Sequence, residues 1–219
     1  MAKPKESEPS ASTPRLYLIT PVVEDAAAFA GTLREAMSAG DIAAVLLRLK
    51  SAGERDVINR VKVLAPIVQA KNAALLLDGQ PEIAGRAGAD GSHLTGIETF
   101  SAAVEGLKPA RIAGCGGLKT RDDAMTAGER GADYVMFGEP KPDGYRPPLD
   151  WTLERVEWWA QLFQIPCVGF ASSLQDIGPL VRGGVEFVAL GDALWDDPRG
   201  AAATLADVGR LLATPEPVP

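Results

Sequence analysis

Two cations close an apolar run, and their types and spacing indicate an anion site. Residues 43–50 read Ala-Ala-Val-Leu-Leu-Arg-Leu-Lys, so Arg48 and Lys50 alternate after a stretch that is apolar on both faces. Such a strand leaves a buried parallel sheet at its carboxyl end, where α/β proteins place ligand chemistry. Arg48 can hold a phosphate or diphosphate through its planar guanidinium, and Lys50 can do so as a point charge. The alternative is a solvated strand end, with Lys50 opening the next loop.

Two carboxylates follow neighbouring apolar runs and indicate a metal site. Asp78 ends the run Leu-Leu-Leu-Asp, and Glu98 comes four residues after the next run. Mg²⁺ commonly takes one or two protein carboxylates and completes its shell with water and substrate phosphate. We therefore predict Asp78 and Glu98 as Mg²⁺ ligands. The alternatives are that Asp78 opens a turn with Gly79 and that Glu98 lies exposed in the first turn of a helix.

His93 is the only histidine of the chain. It lies in Gly-Ser-His-Leu, where it can point into the protein as a proton donor or be a core histidine satisfied by its neighbours. Together with Arg48 and Lys50 it completes the predicted catalytic set. The two cysteines, Cys115 and Cys167, fall within apolar runs and read as reduced core residues, which predicts a cytoplasmic location.

The remaining candidates follow later apolar runs. Residues 114–120 form a glycine-rich stretch that offers free amides and one cation, and residues 138–150 form a long loop that we predict to be a lid. Backbone amides after the last two runs could bind phosphate, whereas Asp192 would repel it unless it serves only as a helix cap. The predicted substrate-binding residues are Arg48, Lys50, Lys119, Lys141, Ser172, Ser173 and Gly191, with Arg146 as a further lid cation and Thr20 as a further strand-end residue.

The elements that must position these residues alternate along the chain. Short apolar runs separate helix-length amphipathic stretches, which predicts a parallel sheet. Eight runs favour a closed (β/α)8 TIM barrel, and the first lacks the glycine fingerprint of a doubly wound sheet. The predicted strands are 16–20, 42–49, 73–78, 91–94, 111–115, 133–137, 165–170 and 185–190.

An internal repeat supports the barrel. Three segments share a glycine that ends a helix, an acid at the turn, and an apolar strand: 87–94, 130–137 and 183–190. Their acids, Asp90, Asp133 and Glu186, would lie at the amino ends of strands, the stability face of such a barrel. We predict structural roles for them.

Composition limits the partners. The 219 residues carry a net charge of −7 without a basic cluster, which argues against nucleic acid or an anionic membrane and leaves a small phosphorylated metabolite as the predicted partner. Residues 1–14 and the proline-rich 214–219 are predicted to be disordered, leaving one barrel over 15–213. Trp151, Trp158 and Trp159 have the spacing of a buried helix face and permit, without requiring, a homodimer.

With these residues in place, the chain resembles the thiamine phosphate synthase family, including its thiazole tautomerase relatives, over roughly residues 15–195. The matches are Leu-Tyr-Leu-Ile-Thr at 16–20, Leu-Leu-Arg-Leu-Lys at 46–50, Gly-Ala-Asp-Gly-Ser-His-Leu at 88–94 and Gly-Ala-Asp-Tyr-Val-Met-Phe-Gly at 131–138. The resemblance implies joining of a pyrimidine methyl diphosphate to a thiazole phosphate, with Mg²⁺, to give thiamine phosphate and diphosphate. It implies that Arg48 and Lys50 hold the diphosphate and that Asp78 is a metal ligand, with Glu98 near the place of the second.

The chain departs from the family pattern at several phosphate-binding positions. Leu46 replaces a Gln, Leu77 an Asn, and Gly116-Gly117 a Ser-Thr pair. The lid lacks the Thr-x-Thr-Lys of the family, Ala171-Ser172 replaces Gly-Gly, and Gly191-Asp192 replaces a pair that ends in Ser. Two readings follow: a synthase with rebuilt phosphate sites, or a family member that binds a phosphorylated metabolite or regulates a partner.

Overall fold

Eight parallel strands form a closed barrel in sequence order, as predicted. The computed structural model describes residues 13–141 and 144–213. The strands are β1 (Arg15–Ile19), β2 (Ile42–Leu47), β3 (Ala74–Asp78), β4 (Gly91–Thr95), β5 (Ile112–Gly116), β6 (Tyr134–Phe137), β7 (Cys167–Ala171) and β8 (Phe187–Leu190). Most of the predicted tails, residues 1–12 and 214–219, lie outside the described residues, and Thr13 and Pro14 lead into β1.

Helices connect the strands and cover the barrel. They are α1 (Ala26–Ala39), α2 (Glu54–Gln69), α3 (Pro81–Ala87), α4 (Ile97–Leu107), α5 (Arg121–Glu129), α6 (Leu149–Leu162), α7 (Ile177–Gly183), α8 (Asp192–Trp195) and α9 (Ala201–Ala213). Among the described residues, none of these helices has the length and apolar character needed to cross a membrane.

The apolar residues form two layers. An outer layer lies between the strands and the helices, and it contains both cysteines, which are buried and free, as predicted. The inner layer fills the barrel, because alternate strand residues point inward. Its buried members are Tyr17, Ile19, Ala44, Leu46, Leu76, Tyr134, Met136, Val168, Phe170 and Ala189.

The prediction that β2 extends to residue 49 is wrong, because the strand leaves the barrel after Leu47. The Arg48 amide donates to the Thr20 hydroxyl at 3.0 Å rather than to a neighbouring strand. Leu49 then forms an isolated bridge with Val23, in the loop after β1. This pairing holds the segment that carries Arg48 and Lys50 against the end of β1. The other strand ends agree with the prediction to within two residues.

The predicted structural acids clamp pairs of strands at the amino end of the barrel. The Asp90 carboxylate accepts the Leu75 amide at the start of β3, at 2.8 Å. Asp133 accepts the Ala113 amide of β5, and Glu186 accepts the Cys167 amide of β7, both also at 2.8 Å. Each acid thus precedes one strand and satisfies a backbone donor of the strand before it, which confirms the structural role.

The pair β1 and β2 is joined at the same end by a side-chain contact. Asp41, which precedes β2, binds the guanidinium of Arg15 with oxygen–nitrogen distances of 2.8 and 3.2 Å. This ion pair lies at the opposite end of the barrel from Arg48, Asp78 and His93.

Candidate functional site

A chain of hydrogen bonds crosses the interior of the barrel. The hydroxyls of Tyr17 on β1 and Tyr134 on β6 lie 2.7 Å apart, and the Tyr134 hydroxyl lies 2.9 Å from His93 Nδ1. His93 Nε2 lies 3.1 Å from Glu139 Oε2, in the loop after β6. His93 is 2% exposed, so this chain lies beneath the mouth of the barrel and is shielded from water.

Two glycines of β5 make room for this chain. A Cβ on Gly114 would lie 2.0 Å from Cζ of the Tyr134 ring, and a Cβ on Gly116 would lie 2.3 Å from Glu139 Oε2. Both distances are far below van der Waals contact, so any side chain at these positions would displace Tyr134 or Glu139. Glycine inside a strand often marks such a close approach. Neither reading of the glycine-rich stretch 114–120, an anion cradle or a tight turn, includes this role of Gly116.

Glu139 sets the charge of the only histidine. Burial alone would lower the pKa of His93, but the field and hydrogen bond of Glu139, together with the field of Asp78, raise the pKa above its usual value. An imidazolium is thereby favoured beneath the barrel mouth. The other carboxylate oxygen, Glu139 Oε1, is buried and has no hydrogen-bond partner among the described residues. The phenols of Tyr17 and Tyr134 stay neutral because burial raises both pKa values.

Asp78 lies at the end of β3, two residues beyond inward-facing Leu76, and pairs in register with His93 on β4. Its side chain retains exposed surface, but the surrounding protein removes enough water to raise the pKa of its carboxyl. The field of Glu139 acts in the same direction, while His93 and Arg48 act against it. The pKa of the Asp78 carboxyl rises because burial and the field of Glu139 together outweigh the fields of His93 and Arg48.

Arg48 is fixed at the end of β2 by its neighbour on β1. Its Nε donates to the Thr20 carbonyl at 2.7 Å, in addition to the bond between the Arg48 amide and the Thr20 hydroxyl. The terminal Nη2 lies 3.7 Å from Asp192 Oδ1, at the start of α8. Lys50 lies farther out and pairs with Glu24 at 2.8 Å. Of the two predicted cations, Arg48 is the one held toward the barrel axis.

The predicted lid contributes a second arginine to the same place. Arg146 Nη2 lies 2.9 Å from Asp192 Oδ2. Lys141 instead places its ammonium over the ring of Tyr145, 4.7 Å from the centroid. Asp192, which the sequence treats as incompatible with phosphate, thus binds two arginines. The loop runs to Pro148, because α6 begins at Leu149, and residues 142–143 lie outside its described part.

A cavity of about 690 Å³ lies beside the barrel axis, between the loops that follow β4, β5 and β6. Three of the predicted residues, Glu98, Lys119 and Lys141, line it, whereas Arg48 does not. Glu139 and Trp151 also line it, and Trp151 is half-buried rather than part of the predicted buried face. Trp159 is fully buried, as predicted.

The predicted phosphate amides after β7 are already used. The amides of Ser172 and Ser173 donate to Asp176 Oδ2 at 2.8 and 3.0 Å, and the Ser173 hydroxyl donates to Asp176 Oδ1. Gly191 is buried and precedes α8, where its carbonyl accepts the Leu194 amide. These contacts cap the segments after β7 and β8.

Sequence reasoning missed three of the four residues in the buried chain of hydrogen bonds. Tyr17 and Tyr134 stand in near-continuous apolar runs, where periodicity cannot tell the inner from the outer face. Glu139 follows a glycine and reads as an ordinary loop charge. The alternation of Gly114 and Gly116 in β5 could have indicated Glu139. That spacing leaves the inward face of the strand without side chains, so another side chain can fill the space.

The comparisons with known proteins agree with this architecture. Residues 16–194 match the family model described as thiamine monophosphate synthase. The thiamine-phosphate synthase of Rhodospirillum centenum is 40% identical over 201 residues, which cover 90% of this chain and 97% of that protein. The thiamine-phosphate synthase of Hyphomonas neptunium is 35% identical over 202 residues, covering 87% of this chain and 90% of that protein.

The solved structures add a likeness of fold. A thiamine phosphate pyrophosphorylase from Pyrococcus furiosus superimposes with a TM-score of 0.74, covering 93% of this chain and 99% of that one at 24% identity. The family model spans the barrel from β1 to α8, including Arg48, Asp78 and His93. The chain belongs to the thiamine monophosphate synthase family.

Proposed function

We propose that this chain is a thiamine-phosphate synthase. It would join hydroxymethylpyrimidine diphosphate to thiazole phosphate and release diphosphate. The observation that carries the proposal is the position of Arg48, fixed by two bonds to Thr20 at the carboxyl end of β2 and directed to the barrel mouth. Asp78 lies close enough for the Arg48 charge to lower the pKa of its carboxyl. The identity to synthases over nine-tenths of the chain supports the same activity.

The reaction breaks the bond between the methylene carbon of the pyrimidine and a diphosphate oxygen. The diphosphate leaves with the electron pair of that bond, and the thiazole phosphate supplies the pair for the new one. Negative charge therefore develops on the diphosphate in the transition state, where a preorganised cation is most effective. Arg48 is the residue we assign to this role. The His93 imidazolium would add positive potential from beneath the mouth.

The residues at the mouth fit a magnesium ion in a limited way. Among the described residues there is no cluster of three or more metal-binding side chains. Asp78 is nevertheless an exposed carboxylate at the carboxyl end of β3, which suits a cation that takes one or two protein carboxylates. Asp78 would hold Mg²⁺, which when bound neutralises diphosphate charge. Glu98 lies on the cavity wall, and its part in metal binding stays a prediction.

The proposal is tested by thiamine phosphate formation from the two substrates and Mg²⁺ by the purified chain. We expect turnover in the wild type and a large loss in Asp78→Ala. Asp41→Ala is the matched control, because Asp41 is an exposed carboxylate at the opposite end of the barrel. Absence of turnover by folded wild-type protein would overturn the proposal and favour a family member that binds a small phosphorylated metabolite or regulates a partner.

A further inference from the structure

Two arginines from distant parts of the chain converge on one carboxylate at the barrel mouth. Arg48 approaches Asp192 Oδ1 at 3.7 Å, and Arg146 approaches Oδ2 at 2.9 Å. Each oxygen of the carboxylate therefore has its own guanidinium. The end of β2, the loop after β6 and the start of α8 meet at this point.

The two guanidinium groups form an anion-binding site, and the Asp192 carboxylate is the anion that occupies it. Guanidinium groups prefer the paired oxygens of carboxylates and phosphates, and they bind both in similar geometry. All three side chains are partly exposed, at 31% for Arg48, 47% for Arg146 and 45% for Asp192. Ion pairs with that exposure contribute little stability, so a ligand with more negative charge can replace the carboxylate.

The two arginines differ in how they are held. Arg48 is anchored to Thr20 by its amide and its Nε, so its guanidinium stays in place when Asp192 moves away. Arg146 is carried by the connecting loop. Lys141, in the same loop, lies over Tyr145 and lines the neighbouring cavity instead. Of Lys141 and Arg146, Arg146 is therefore the loop cation that contacts the same carboxylate as Arg48.

We infer that Arg146 binds the diphosphate together with Arg48, and that the Asp192 carboxylate occupies this anion-binding site until the diphosphate displaces it. The inference rests on the proposed function only for the identity of the anion. It assigns a ligand contact to the loop although the loop lacks the Thr-x-Thr-Lys motif of the family. It also makes Asp192 an internal competitor, whose removal strengthens anion binding.

The experiment is isothermal titration of the full chain with inorganic pyrophosphate in buffer free of divalent cations. We expect Arg146→Ala to weaken binding about tenfold or more, as the loss of a charge-assisted hydrogen bond does. Arg146→Lys should recover part of that loss. Asp192→Asn should tighten binding by about threefold, the scale of one exposed ion pair.

The Arg15–Asp41 ion pair at the opposite end of the barrel supplies matched controls. Arg15 is 44% exposed and lies 2.8 Å from Asp41, while Arg146 is 47% exposed and lies 2.9 Å from Asp192. Arg15→Ala and Asp41→Asn should leave the pyrophosphate affinity unchanged. Unchanged or weaker binding by folded Asp192→Asn would overturn the competitor role, and unchanged binding by Arg146→Ala would overturn the loop contact.

Turnover measured on the same preparations separates this inference from the proposed function. If the variants change pyrophosphate affinity as expected but the protein shows no synthase turnover, the anion-binding site is supported and the proposed synthase function is overturned. If the protein shows turnover but the variants do not change its pyrophosphate affinity, the synthase function is supported and the anion-binding site is overturned. A wild-type chain that binds no pyrophosphate would overturn the inference outright.

Discussion

Glu139 connects the buried polar residues to the barrel mouth. One of its oxygens binds His93, and the other is buried without a hydrogen-bond partner among the described residues. An unpartnered buried carboxylate oxygen is costly, and the hydrogen bond between His93 and the other oxygen offsets part of that cost. The Glu139 carboxylate and the His93 imidazolium therefore form one buried ion pair.

Glu139→Gln should reverse the direction of the His93 pKa shift. The carboxylate now raises the pKa above the ordinary value of about 6.5, whereas burial alone lowers it. Because the chain has a single histidine, untagged protein gives one imidazole resonance that NMR can follow with pH. We expect a midpoint above the ordinary value in the wild type and below it in Glu139→Gln. Glu105→Gln, an exposed carboxylate of α4, should leave the wild-type midpoint in place.

Arg48→Ala should lower kcat/KM for the diphosphate substrate by about a hundredfold, as the loss of one preorganised charge-stabilising donor does. The physical reason is that the charge develops on the leaving group, and Arg48 is already fixed before it does. Steady-state kinetics with Arg15→Ala as the control would measure the loss. Kinetics that do not change would remove Arg48 from the mechanism.

At the scale of elements, the eight strands could be predicted because each apolar run is short and separated by a helix-length stretch. The end of β2 could not, because tertiary partners decide it: Thr20 and Val23 draw the chain out of the strand after Leu47. Arg48, Asp78 and His93 could be chosen as candidates because strand ends carry function in this fold. Glu139 was missed, and Arg146 was predicted only as a lid cation without its Asp192 partner, because a loop sequence does not reveal which side chain it turns inward.

Asp133→Ala should destabilise the protein without altering the site. Its carboxylate accepts the Ala113 amide at 2.8 Å, and that amide would lose its partner. We expect a loss of about 1–3 kcal/mol in the free energy of unfolding, measured by urea denaturation, with kcat retained at temperatures where the variant is folded. Asp122→Ala, an exposed acid in the first turn of α5, is the control. A variant as stable as the wild type would contradict the clamp.

At the scale of the whole molecule, stability should fall as the pH rises above neutrality. The folded state raises the pKa of His93, so it binds a proton more tightly than the unfolded chain. That contribution is complete below about pH 6.5 and is lost as the pH rises through the folded pKa. Thermal unfolding followed across this window should show a falling midpoint in the wild type.

Glu139→Gln separates this effect from general repulsion in a chain of net charge −7. Without the carboxylate, burial lowers the His93 pKa, so the same linkage makes stability rise with pH through about 6.5. Parallel pH profiles for the two proteins would show that repulsion, rather than the buried ion pair, controls the slope.

The clamps at the amino end have a consequence for how the barrel is assembled. Asp41, Asp90, Asp133 and Glu186 each precede an even-numbered strand and bind the odd-numbered strand before it. The barrel can thus be divided into four pairs of consecutive strands, each joined by its own acid. A backbone break between α4 and β5 leaves all four pairs intact, whereas a break between α3 and β4 separates β3 from β4, which Asp90 joins. Fragments cut at the first position should reassociate into a barrel more readily than fragments cut at the second.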